Sequence, residues 1–465
     1  MVNKTILFIS KSDHPYIFSI LILGLVMFAF GFSNNDTFAK EQHSTSDGMN
    51  FSNSQDVYSK HGVLKSAISA SYHIGKVDNQ SITSMLYNGS LGGPILHAYP
   101  GDKIELDLID NLNESTNLHF HGLYVSPANN SDNVFLEIAP GNTQHYSVDI
   151  PKDHPPGTFW YHSHIHHISN EQVASGLSGL IIVEGLEQLL PAPLQNFTTQ
   201  NFALRDFPGS SATTSTYPTV NGEINPNINI TLGDTQLWRF ANIGSEPYYE
   251  IGLQGYKFSV IAEDGSPVWE VWDNDTLQLP SGKRFDVLVT VTDNGSFPLI
   301  ASAYYPLPKT KIATVNTQGN QTESVKDIPA RLTLKDDPNL KNITNYRILK
   351  FTSNDKEFIY KINNKTFDAN RIDLKMKLGD VEQWKLINYD NDDHPFHIHV
   401  NDFEVVSVNG KPYESHGLQD TVIIPSHGEV VIRIAFEDYV GKSVYHCHIM
   451  FHGDNGMMGI FEVIK

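Results

Sequence analysis

The chain has 465 residues, 40% hydrophobic and 11% aromatic, which is enough for roughly three cored domains of about 150 residues each. A net charge of −20 opposes binding to nucleic acid and anionic lipid and favours cationic partners. A single cysteine excludes an internal disulfide, while 33 Gly, 24 Pro and only 18% charged residues point to a turn-rich all-β chain.

Lys4 and Lys11 stand before or close to residues 16–32, an apolar run without a charge. Its length fits either a signal-peptide core or a membrane anchor. Residues 1–40 are therefore expected to direct export, with cleavage after Ala39 or retention as a membrane tether. No cysteine stands just after the run, which excludes a lipid-attached lipoprotein. Residues 41–57, polar and rich in Ser, Asn and Gln, read as a flexible linker. More than a dozen Asn-x-Ser/Thr sequons, including Asn79, Asn88, Asn196, Asn229, Asn294 and Asn342, are present. Chance at this composition gives roughly five, so the excess points to a glycosylated exterior protein.

Further along, period-two runs over residues 103–109, 145–150, 286–291 and 429–434 predict half-buried sandwich strands. No amphipathic helix of ordinary length is evident. Residues 186–196, with Pro191 and Pro193, and residues 316–337, with Pro329, read as linkers. They divide the folded part into domains at 58–188, 189–328 and 329–465, near the common domain size. Gly101-Asp102, Gly233-Asp234 and Gly379-Asp380 each precede a strand and an asparagine (Asn111, Asn242, Asn388). That correspondence marks an internally repeated β-sandwich unit.

Histidines concentrate in four segments: His119-Phe120-His121-Gly122, Trp160-Tyr161-His162-Ser163-His164, His394-Pro395-Phe396-His397-Ile398-His399, and the run from His446-Cys447-His448 to His452, closed by Gly456-Met457. A polar strand face accounts for one His-x-His pair, but not for four with the sole cysteine inside one. One thiolate, two imidazoles and a weak axial methionine make an electron-transfer copper site. Cys447, His452 and Met457 supply three such ligands, and the fourth comes from the His394 segment. In an extended strand Cys447 faces one side while His446 and His448 face the other, reaching different metals. Met458 is read as core packing, and His166 and His167 as loop or outer-shell residues. His145, His154, His416 and His427 read as surface or hydrogen-bonded residues.

These four segments, in this order, resemble the copper-binding signature of the multicopper oxidases, in the three-domain laccase-like branch with spore-coat laccases, bilirubin oxidases and cuprous oxidases. Tyr87-Asn88-Gly89, Pro100-Gly101-Asp102, Gly176-Leu177-Ser178-Gly179, Asp264-Gly265, Arg284-Phe285-Asp286 and Asp420-Thr421-Val422 extend the resemblance from about Lys60 to the C-terminus. It implies three consecutive cupredoxin-like Greek-key sandwiches and four copper ions. A blue copper would take His394, Cys447, His452 and Met457. A type 2 copper would take His119 and His397, and a coupled type 3 pair His121, His162, His164, His399, His446 and His448. The cluster would lie between the first and third domains and reduce O2 to water with electrons from a phenolic or metal-ion donor.

Asp132 stands near the family's acidic position and is a candidate proton source, as is Asp454. Gly453 replaces the glutamate that often follows this histidine in the family. Asp390, four residues before His394, occupies the place of a donor-serving acid in cuprous-oxidase relatives, and an ordinary solvated turn is the competing reading. The chain lacks their Met-rich insert. The alternatives are a Cu(I), Mn(II) or Fe(II) metallo-oxidase, a non-catalytic cupredoxin-type envelope protein, and a copper nitrite reductase, which needs fewer histidines.

Overall fold

The computed structural model describes residues 54–77, 80–207, 217–302, 308–319, 327–332 and 342–465. The apolar run at 16–32, Ala39, Asn79, most of the 41–57 linker and parts of the 316–337 linker lie outside the described residues. Among those described, strands form six sheets, and the only α-helices are the short Ser169–Ser175 and Met450–Asp454. No described helix is long and apolar enough to cross a membrane.

The sheets pair into three sandwiches that repeat one plan. The strand after each Gly-Asp turn runs parallel to an earlier strand and antiparallel to a later one. Lys103–Asp110 lies between Val63–Val77 and Thr143–Asp149. Thr235–Asn242 lies between Thr199–Phe207 and Arg284–Thr290, and Asp380–Asn388 between Asn345–Asn354 and Glu429–Phe436. The turn recurs because Gly101, Gly233 and Gly379 all take φ near +80 to +90° (90, 76 and 91°), where a side chain is strained. Each sandwich has its own apolar core, with Phe120, Phe240 and Phe396 among the fully buried residues.

Several sequence expectations need correction. Residues 186–196 are not a loose linker. They form two 3-10 turns, Leu186–Leu189 and Ala192–Leu194, whose Leu186, Leu190 and Leu194 enter the second core. The tether ends before residue 57, because Asp56–Tyr58 pairs in parallel with Ile95–Ala98. Residues 316–318 belong to the strand Thr310–Gln318, and Leu332 still packs against the second core beyond residue 328. Alternating burial holds in Lys103–Asp110 and Glu429–Phe436 but not in Arg284–Thr290, which is buried on both faces. The reason is contact with the first sandwich, where Asp286 accepts hydrogen bonds from the Thr158 amide and hydroxyl at 3.1 and 2.5 Å.

Candidate metal centre

Antiparallel pairing of His394–Ile398 with Gly441–Cys447 sets Phe396 opposite Cys447 and His397 opposite His446. The pleat then sends Cys447 into the third core and the flanking histidines outward. Cys447 Sγ lies 3.5 Å from His394 Nδ1 and 3.6 Å from His452 Nδ1, and those two nitrogens are 3.3 Å apart. His452 rides on the helix Met450–Asp454. Met457 is fully buried in the same apolar cluster, and its carbonyl accepts the Cys447 N–H at 3.1 Å. Burial pushes the Cys447 thiol far above its ordinary range, so a thiolate here requires a cation.

Eight buried histidines gather where the first and third sandwiches meet. His121, His162 and His448 form one group of converging nitrogens; His164, His399 and His446 form a second; His119 and His397 complete a third with His121. His164 Nε2 and His399 Nε2 each lie 3.2 Å from His446 Nε2, and His448 Nε2 lies 3.2 Å from His121 Nδ1. Burial, followed by the neighbouring imidazoles, depresses His119, His121, His164, His399 and His448 well below the usual histidine range. The rings are thus neutral, with lone pairs free for a metal.

Ring nitrogens facing away from the centre have partners on four of the histidines. His119 Nδ1 meets Asp132 at 2.8 Å, and His162 Nδ1 the Ser163 carbonyl at 2.8 Å. His397 Nδ1 meets the Asp420 carbonyl at 2.9 Å, and His446 Nδ1 the Cys447 carbonyl at 3.0 Å. By contrast the inward nitrogens His119 Nε2, His162 Nε2 and His397 Nε2 are buried without a hydrogen-bond partner. Neutral acceptors aimed at one another and left unsatisfied are costly, and cations among them resolve the conflict. The donor set therefore fits copper: imidazoles throughout, with one thiolate at the separate Cys447 group.

The middle sandwich, expected to hold no ligand, reaches this centre all the same. Ser281 hydroxyl sits 3.0 Å from His448 Nδ1 and donates to the Gly244 carbonyl at 2.5 Å. Gly282 follows because a Cβ there would lie 3.0 Å from the His448 ring and 3.1 Å from His121. Lys283 donates to Asp264, Gln419 and the Thr421 carbonyl at 2.9 to 3.0 Å. Arg284 donates to Asp420 at 2.8 Å and to the Thr158 carbonyl at 3.1 Å, joining all three sandwiches. Burial alone would raise Asp420, but Arg284 and His397 hold its carboxyl well below the usual range. Asp420 in turn reaches His121 Nε2 at 3.3 Å. Sequence reasoning assigned no role to Ser281, Arg284 or Asp420. The available signal was the charge carried by Lys283, Arg284 and Asp286 in an otherwise apolar strand.

The three acids singled out from sequence take different places. Asp132 is buried against His119 and the Phe120 amide, and burial pushes it up to about 8. Asp454 is buried too, accepting from the Ser169 hydroxyl at 2.8 Å and the Asn170 amide at 2.7 Å, and burial raises it to about 6. With His164 and His446 it lines a small cavity. Asp390 does not reach outward as a solvated turn would. Its carboxylate meets His394 Nε2 at 2.9 Å and the Ser353 amide at 2.7 Å, with the side chain only 9% exposed. A larger cavity of about 800 Å³ between the first and third sandwiches is walled by Val134, Phe135, Ile165, Phe367 and Met458 and reaches His164.

The remaining histidines lie outside the centre. The His166 and His167 rings touch, with centroids 3.8 Å apart and planes tilted by 41°, and His167 meets the Asp454 carbonyl at 3.1 Å. His154 is buried and hydrogen-bonded, while His145 is exposed between Glu105 and Asp107. Met458 packs with Val134, Val444 and Ile460.

Three family profiles, each described as multicopper oxidase, match residues 70–188, 195–327 and 336–465. Among curated proteins, the chain is 28% identical to a multicopper oxidase of Staphylococcus haemolyticus, over 83% of this chain and 85% of that one. Among solved structures, it resembles a Campylobacter jejuni multicopper oxidase described as a metallo-oxidase (24% identity, TM-score 0.77, 89% and 96% of the two chains). It also resembles a laccase-like multicopper oxidase from Ochrobactrum sp. described as acting on lignin model compounds (23% identity, TM-score 0.78, 89% and 100%).

Proposed function

We propose, for a chain that belongs to the multicopper oxidase family and is therefore a copper-dependent oxidoreductase, a laccase-like oxidase with four coppers that couples one-electron oxidation of phenolic donors to reduction of O2 to water. The observation that carries this reading is the convergence of eight histidines with three unpartnered inward nitrogens, one peptide link from the Cys447 group. In this assignment His394, Cys447, His452 and Met457 hold the blue copper, His119 and His397 the type 2 ion, and the other six histidines the coupled pair.

Bound copper would supply one-electron storage at each ion, matching the four electrons that O2 needs to become water. The chain's own residues do the rest. Cys447 and its neighbours His446 and His448 join the two ligand sets by backbone alone. Ser281, Asp132, Asp420 and the backbone carbonyls fix the tautomer and angle of His448, His119, His121, His162, His397 and His446. The large cavity gives O2 a path from the surface to His164. Asp132 and Asp454 stand as the proton-holding groups beside the cluster.

His452, 7% exposed, is the ring through which a donor reaches the Cys447 group. Asp390 is held by His394 Nε2 and the Ser353 amide while Asp392 two residues on stays exposed, so a Cu(I), Mn(II) or Fe(II) donor is the second reading. Export follows from the apolar residues 16–32. Oxygen uptake by the copper-loaded protein, with a phenol, Cu⁺ and Mn²⁺ under matched conditions, tests the reading. Faster uptake with the phenol, at four donors per O2, is the expected result. Faster uptake with a metal ion would make this a metallo-oxidase, and none with any donor would sink the oxidase assignment.

A further inference from the structure

The sequons are placed in the fold in a way that their number alone does not require. Nine sequon asparagines fall on residues whose burial is described: Asn88, Asn113, Asn129, Asn196, Asn229, Asn274, Asn294, Asn342 and Asn364. All nine are exposed. Of the other twenty-one described asparagines, only ten are. Asn117, Asn242, Asn388 and Asn401, none in a sequon, are buried and donate Nδ2 to backbone carbonyls.

The amide nitrogens divide in the same way. Among the nine, only Asn88 donates Nδ2 to another described group, the Ala67 carbonyl at 3.3 Å, and its Oδ1 accepts the Ser69 amide at 2.8 Å. Asn113 and Asn294 use only the carbonyl oxygen, accepting from the Tyr72 and Thr317 hydroxyls. Exposed asparagines outside sequons often do the reverse: Nδ2 of Asn111, Asn221, Asn345 and Asn363 each donates to a neighbour.

A chain that never meets a glycan-transferring enzyme has no reason to keep sequons off buried or amide-bonded asparagines. A chain that does meet one has a strong reason, because a glycan is bulky and hydrophilic and needs solvent around it. We propose that this protein is N-glycosylated at Asn113, Asn129, Asn196, Asn229, Asn274, Asn294, Asn342 and Asn364, and that Asn88 stays bare. Transfer forms a bond from Nδ2 to the anomeric carbon of a lipid-phosphate-linked glycan. It breaks that carbon's bond to the phosphate, and one amide proton leaves to a base, with no change of oxidation state. The eight sites lie on all three sandwiches, so the glycans would surround the molecule rather than mark one face. This placement is independent of the copper chemistry.

The test is peptide mass spectrometry on the protein isolated from its own source. Glycan masses on peptides holding the eight asparagines, with the Asn88 peptide unmodified, are expected. Unmodified peptides at those sites would overturn the proposal, and an Asn88 occupied like the others would overturn the rule that a free Nδ2 marks a site. Asn196→Gln and Asn294→Gln, made in the same source, give a second readout. Each should remove one step of electrophoretic mass while copper content stays that of the parent protein. Unchanged mobility in both would also overturn the proposal.

Discussion

The Tyr360 ring lies flat on the His452 imidazole, with centroids 4.1 Å apart and planes 17° apart. Tyr360 is carried by the strand Ile359–Ile362, and its N–H donates to the Asn455 carbonyl at 3.2 Å, so the same residue also pins the ligand-bearing loop. It shields one face of the ring that stands between solvent and Cys447. Removing that cover raises the local polarity, which favours the more charged metal state. Tyr360→Ala is therefore expected to lower the reduction potential of the Cys447 site by on the order of tens of millivolts, while Tyr360→Phe leaves it near the parent value. Redox titration of the visible band would check both, and equal shifts in the two variants would show that the ring's cover is not what matters.

Ser281 gives the middle sandwich a part in metal binding. Ser281→Ala frees His448 Nδ1 and should weaken copper retention by roughly 10- to 100-fold. Copper content after dialysis against graded chelator would measure this. Retention equal to that of the parent would mean that His448 is oriented by packing alone.

Arg284 and Asp420 are both fully buried, 2.8 Å apart. Arg284→Met strands a buried carboxylate and should destabilise the copper-free protein by about 3–5 kcal/mol. Chemical denaturation gives the value, and a loss under 1 kcal/mol would place this pair among the dispensable ones.

Asp402 accepts from the hydroxyls of Tyr124 and Ser266, the latter at 2.8 Å, while Asp420 and Arg284 also face it. Burial and then the Asp420 charge push it up to about 8, against about 3.9 in an unfolded chain. The folded state thus holds a proton that the unfolded state releases, so this contribution is complete below about pH 4 and is lost as pH rises through 8. Asp402→Asn keeps an acceptor without the charge. It should match the parent near pH 4 and exceed it at pH 8 by on the order of 5 kcal/mol, about four pH units at roughly 1.4 kcal/mol each. Thermal unfolding at the two pH values would decide; a pH-independent difference would contradict the sign.

The gathering of the eight histidines, and of His394, Cys447 and His452, was legible because it depends on residue type and spacing within strands. His-Cys-His must split across a pleat, and His119 with His121, or His397 with His399, must share a face. The repeat was legible for a similar reason, since the Gly-Asp turns at 101, 233 and 379 demand φ that only glycine adopts easily. What could not be read depends on contacts between distant segments. Ser281 meets His448 across 167 residues, and Arg284 meets Asp420 across 136. The direction of Asp390 was hidden too, because a turn acid facing solvent and one folded back onto His394 look alike in sequence. The leucines at 186, 190 and 194 were obscured by their prolines, which mark a break in regular structure and not a loss of packing.

The most direct test of the account is copper stoichiometry in the parent protein and in Cys447→Ser, measured with the visible spectrum. The account predicts four coppers and an intense thiolate band in the parent, against three coppers, no such band and no donor oxidation in the variant. Four coppers with retained turnover in Cys447→Ser, or a parent chain that binds fewer than four, would contradict it.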